Sequence, residues 1–105
     1  MISGVEKNTV EISGILVERS ALRYTPAAVP VLECIIEHRS VQLENGIPRQ
    51  VECRVMAVAL GEVTRILQFV ELGASLSLTG FLASKSRNSR QLRLHITKID
   101  FCQGK

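Results

Sequence analysis

Tryptophan is missing from this 105-residue chain, tyrosine occurs once, and phenylalanine three times. Planar ligands bind by stacking on rings, so base stacking here must be sparse. Cysteine is scarce too: Cys34, Cys53 and Cys102 form no C-x-x-C pair, and their odd number argues against a disulfide framework. Two histidines without ligand spacing argue against zinc. No apolar run approaches the roughly 18 residues of a membrane helix. The opening MISGVEKNTVEISG carries acids and lacks the basic-then-apolar layout of a secretory signal. Gly-rich phosphate loops, nucleophile elbows and paired carboxylates do not occur. These absences predict a reduced, cytoplasmic protein with no membrane segment, catalytic residue, cofactor or metal.

The most informative stretch runs from Val29 to Gly61. Leu32, Cys34 and Ile36 alternate with Glu33, Ile35 and Glu37; later Val51, Cys53, Val55 and Ala57 alternate with Gln50, Glu52, Arg54 and Met56. Period-two alternation marks strands with one buried face. Asn45-Gly46 lies between the runs, and both residues tolerate the positive φ of a tight hairpin turn. Pro48 then stands near a strand start, where a missing N–H is tolerated. The reading is a long hairpin with a polar tip, flanked by Arg39 and Arg49 as candidate ligand contacts. Cys34 and Cys53 fall on inward parities as small apolar residues. His38 shares that parity and is expected to find a backbone or carboxylate partner.

Before the hairpin, Thr9–Arg19 reads as a strand bent at Gly14, with Ile15 and Val17 making its second half apolar on both faces. A partner subunit or an edge-covering loop would account for that second face. Ser20–Ala28 is a loop kept extended by Pro26. It carries Arg23-Tyr24, a cation beside the only tyrosine; the ring can stack on a base or pack on a barrel rim. After Gly61, Val63, Ile66, Leu67 and Val70 form a helical stripe starting at Glu62 and ending by Gly73. This predicts a helix of about two turns that plugs a barrel end. Ala74–Ser84 is a strand interrupted by Gly80, with Leu76, Leu78 and Leu82 on one face. In the final strand, 91–101, Ile99 and Phe101 have the other parity from Leu92, Leu94 and Ile96, which calls for a bulge near Lys98.

Charge is uneven. The net +3 divides into −2 over residues 1–52 and +5 over residues 53–105. Lys85, Arg87, Arg90, Arg93 and Lys98 follow one another with no acid between Ser84 and Lys98. This is a phosphate-binding pattern, with a solvated basic loop as the plain alternative.

Three strands, a short helix and two strands make an all-β chain with the plan of a five-stranded OB-fold barrel, which often binds single-stranded oligonucleotides. The expected organisation is one domain over residues 1–105, with a lead over about 1–8 and a tail over about 102–105. SH3-like barrels compete on strand number but lack an amphipathic helix between strands three and four.

The runs ISGILVERSALRYTPAAVPVLECIIEHRSVQLENGIPRQVECRV and VELGASLSLTGFLASKSRNSRQLRLHITKI resemble the primosomal replication protein N (PriB) family, relatives of single-stranded-DNA-binding proteins. The most specific pieces are Pro30, Glu37-His38-Arg39-Ser40 and Gly80-Phe81-Leu82, and the likeness spans Ile12 to Phe101. It implies a cytoplasmic bacterial homodimer of OB-folds that binds single-stranded DNA without sequence preference and assists the PriA helicase in replication restart, with DnaT as a further partner. Arg23 and Arg39 match basic positions of the family, and Lys85, Arg87 and Arg90 occupy its basic loop, with Arg93 just beyond. Arg49 and Tyr24 complete the candidate site. Glu52 stands where better known members carry an aromatic, and the basic loop is about two residues shorter. Phosphate contacts must then carry most of the affinity, and Phe69, Phe81 and Phe101 are expected in the core or an interface. The alternative is a protein–protein adaptor of the primosome whose DNA binding is incidental.

Overall fold

The alternating hairpin is realised in full, and the rest of the chain closes around it. A computed structural model describes residues 6–102; the first five residues of the expected lead, and the tail after Cys102, lie outside the described residues. The strands are β1 (Val10–Arg19), β2 (Arg23–Tyr24), β3 (Pro30–Glu44), β4 (Ile47–Leu60), β5 (Ser75–Ser84) and β6 (Leu92–Phe101), with helix α1 (Val63–Leu67) between β4 and β5. They form one sheet in the order β1-β5-β6-β4-β3-β2, and a β1–β3 pairing closes it. The β4–β6 pair is parallel and the others antiparallel. Five long strands closed this way, with a helix after the third, make the expected OB-fold barrel.

Glu44 pairs with Ile47, so Asn45 and Gly46 alone make the turn, at φ 55° and 75°. Those angles match the twist of the flanking strands. β1 changes partner in mid-course: Val10–Ile15 lie along β5, while Ile15–Arg19 lie along β3. Gly14 stands at this crossing, where a Cβ would come within 2.6 Å of the Glu37 carbonyl oxygen. The predicted bulge exists. Thr79 faces Lys98 and Gly80 faces Ile96, which leaves Thr97 as the extra residue. Leu94 and Ile96 therefore point inward with Ile99, despite its parity.

Leu16, Leu32, Ile36, Leu67, Leu76, Leu78 and Leu94 form the fully buried centre of the core. Helix α1 packs on β3, β4 and β6, and Leu67 enters the core from one end, as a plug. The helix is shorter than predicted, at five residues. Phe69 and Val70 donate to the carbonyls of Ile66 and Leu67, an i→i+3 spacing that tightens the last turn. Val63, Leu67 and Val70, at i, i+4 and i+7, face the core, while Ile66 is exposed, against the stripe read from the sequence. Arg19 donates through Nη1 to the carbonyls of Leu67, which also accepts from the Val70 N–H, and of Val70 at the helix end.

Other expectations need correction. The Ser20–Ala28 loop contains β2, paired to Val31 and Pro30. Cys53 is exposed, because it pairs with His38 where the hairpin runs past β1 and β6 and no core lies beneath it. Leu82 and Leu92 are exposed on the projecting end of β5–β6, and none of the three phenylalanines is in the core. No helix among the described residues is long and apolar enough to cross a membrane.

Candidate nucleic-acid interface

Alternation on β3, β4 and β6 sends Leu32, Ala57, Ala59, Leu94 and Ile96 inward, so Glu33, Arg39, Glu52, Arg54, Arg93 and His95 must point outward. On this outer face Glu33 draws together two of the predicted cations. Arg23 donates through Nη2 to Glu33 Oε2 at 3.0 Å, and Arg93 donates through Nη1 to the same oxygen at 2.9 Å. The Arg93 side chain is 17% exposed, and its Nε is buried without an acceptor.

The remaining candidates separate into two classes. Arg39 stands 3.6 Å from Glu37 and 3.9 Å from Glu52. Arg49 donates to Glu44 across the turn at 2.7 Å. Lys85, Arg87 and Arg90 are exposed on the loop between β5 and β6, and none has an ion pair among the described residues. Uncompensated charge therefore concentrates in that loop, while Arg23, Arg39, Arg49 and Arg93 already hold carboxylates. Glu52 faces outward beside Arg39, so this surface carries an acid there.

Arg54 was missed by the sequence reading. It is exposed, sits on β4 opposite Glu37, and has no ion pair among the described residues. It precedes Ala57 by three residues, as Gln91 precedes Leu94, the parallel partner of Ala57, so it runs toward the end of the basic loop, where β6 begins. Outward parity on the long hairpin was the signal that could have found it.

Tyr24 is 63% exposed on β2, opposite Pro30, with its ring free to meet a planar group. A second aromatic feature joins residues 14 positions apart: Phe81 and His95 stack at 5.0 Å between centroids with a 6° interplanar angle. Burial, and then the Arg93 charge, push the His95 pKa below its ordinary 6.5, so the ring is neutral at physiological pH. The register places Phe81, His95, Val58 and Glu33 in one row across β5, β6, β4 and β3. His38 has the backbone partner expected of it: Nδ1 meets the Ser13 carbonyl at 2.7 Å and Nε2 the Ser40 hydroxyl at 2.8 Å.

Arginines and an exposed loop of cations on the face and rim of an OB barrel can hold a polyanion, and flanking rings can hold its bases. Comparison with known proteins points the same way. A family model described as "Another single-strand binding protein family" matches residues 8–98. Replication restart protein PriB of Bordetella pertussis is 40% identical over 89 residues, covering 85% of this chain and 83% of that protein. The Nitrosomonas europaea PriB is 37% identical over 94 residues, covering 90% and 87%. The three-dimensional structure of PriB from Ralstonia solanacearum superposes with a TM-score of 0.86 at 32% identity, covering 93% of this chain and all of that one. The chain belongs to the single-strand binding protein family and, within it, to the replication restart proteins PriB.

Proposed function

We propose that this protein binds single-stranded DNA without sequence preference and serves replication restart as a non-enzymatic, cytoplasmic accessory of the PriA helicase, with DnaT as a further partner. The observation that carries the reading is the set of uncompensated cations Lys85, Arg87 and Arg90 at the rim of the barrel. Phosphates supply the charge this loop lacks. Arg23, Arg39, Arg49 and Arg93 join only by exchanging a carboxylate for a phosphate. Three phosphates held by the loop give log K against log salt a slope of about −2 on a single strand. Tyr24 offers one stacking face.

The protein acts as one domain and as a homodimer. Support for the dimer lies in β1: Val10–Gly14 pair with β5 but not with β3, so their other edge has no strand partner, with only His38 on the Ser13 carbonyl, and Ile15 beside them is 41% exposed. Sedimentation near twice the 11.6 kDa chain mass is the expected result, and a lone monomer overturns it.

A second reading, an adaptor with incidental DNA binding, is favoured by the carboxylates that hold Arg23, Arg39, Arg49 and Arg93. Anisotropy of a labelled single strand at two salt concentrations, with a duplex control, separates them. Single-strand preference with steep salt dependence supports the first reading. Absence of binding at low salt, with PriA still bound, supports the adaptor.

A further inference from the structure

We propose that Phe81 is a nucleobase platform: a base of bound single-stranded DNA lies on the exposed face of its ring and extends the stack that His95 begins. The inference deepens the single-strand reading and rests on it.

Phe81 points outward from β5 and is 40% exposed. Its immediate neighbours on the outer face of β5 and β6 include no large aliphatic side chain. Thr79 and Ala83 flank it on its own strand, and His95 faces it across β6 with Arg93 two residues away. The ring is therefore an apolar plane whose nearest neighbours are small, polar and cationic groups, with His95 between it and Val58. A base is the ligand that matches this arrangement, because it offers a flat face and carries a phosphate on either side.

The ring is also held ready. His95 lies parallel to it on the opposite strand, which limits rotation of the phenyl plane before any ligand arrives. A neutral imidazole can serve as one layer of such a stack, and its depressed pKa keeps it so.

Cations stand on both sides at nucleotide scale. In one direction, four residues of extended chain, roughly 13 Å, lead from Phe81 to Lys85 and the unpaired loop. In the other, three strand spacings, about 14 Å, lead along the row to Glu33, where Arg23 and Arg93 meet. By register, the nearest acid on β1 is Glu11, which faces Thr79 rather than Phe81. A strand crossing from Tyr24 over the arginines toward the basic loop passes the platform.

The chain has no tryptophan, so Phe81→Trp places a single fluorescent reporter at this point. Oligo(dT) and an abasic oligonucleotide of the same length are titrated against this variant, with anisotropy reporting binding independently. The expected result is strong quenching by oligo(dT) and little by the abasic strand, although both bind. Phe81→Leu keeps an apolar side chain without a ring, and should weaken oligo(dT) binding at least about fivefold with the salt slope unchanged. Equal quenching by the two oligonucleotides, or wild-type affinity in Phe81→Leu, overturns the platform and leaves the phosphate-led reading standing. A shift of Phe81→Leu toward lower sedimentation mass also overturns it, since the ring would then belong to a subunit contact. If the wild-type protein binds no single strand at low salt, both readings fall.

Discussion

Arg93 and Glu33, 60 positions apart in the chain, meet on the outer face of the barrel at 2.9 Å, and Arg23 shares the same carboxylate oxygen at 3.0 Å. The contact spends the charge of two arginines on one acid before any polyanion arrives. Because the Arg93 side chain is only 17% exposed, this pair is screened less than a free surface pair.

Replacing Glu33 by Gln should therefore strengthen single-strand binding. It should also steepen the salt slope by about one, as up to two cations become available to phosphates. Anisotropy titrations at several salt concentrations read both quantities. A variant with the wild-type slope would show that neither arginine reaches the DNA.

Removing the basic loop charges should do the opposite. Lys85→Ala, Arg87→Ala and Arg90→Ala together should flatten the slope by about 2. Arg49→Ala should leave it nearly unchanged, because Glu44 already neutralises that residue. Equal losses from the loop triple and from Arg49→Ala would mean that loop and hairpin tip contribute alike.

Gly80 and Gly46 should respond differently to alanine. At Gly80 the new Cβ falls on the His95 carbonyl oxygen, so backbone must move within a paired strand. A cost of roughly 1–3 kcal/mol or more is expected in urea unfolding. Gly46 has open space and only its φ of +75° to lose, so about 1 kcal/mol is expected there. A smaller loss at Gly80 than at Gly46 contradicts the packing at the bulge.

His95 should give the fold a pH dependence of its own. Burial and then the Arg93 charge lower its folded pKa, so below pH 6.5 the unfolded chain takes up the proton more readily than the native one. Its contribution is present above 6.5 and is lost as pH falls through the lower, folded value. Wild type and His95→Gln should diverge only on that acid side, as read from unfolding midpoints. An imidazole titrating at 6.5 or above by NMR refutes the assignment.

Thiol labelling should distinguish the cysteines. Burial pushes the Cys34 pKa up to about 11, with Arg19 opposing only in part, while Cys53 and Cys102 are exposed. At neutral pH, Cys53 and Cys102 should label quickly and Cys34 only on unfolding. Fast labelling of Cys34 in the native state would contradict its place in the core.

The sequence by itself determined the elements that depend on local chemistry. Alternation decided which faces of β3 and β6 are buried, Asn45-Gly46 decided the turn, and the parity break decided that β6 contains a bulge. The same reading, with the motif likeness, was enough for the barrel and its family. Tertiary structure decided everything that depends on where strands end and which cations find partners. Cys53 has inward parity but no core beneath it, because β4 continues past its neighbours. Ile66 belongs to the helical stripe yet faces solvent, because it lies at the edge of the stripe and the core takes Val63, Leu67 and Val70 instead. The seven candidate cations were equivalent as letters. They differ in the fold because Glu33, Glu37, Glu44 and Glu52 are set against four of them by strand register and a tight turn, and because Phe81 and His95 become one surface only when β5 and β6 pair.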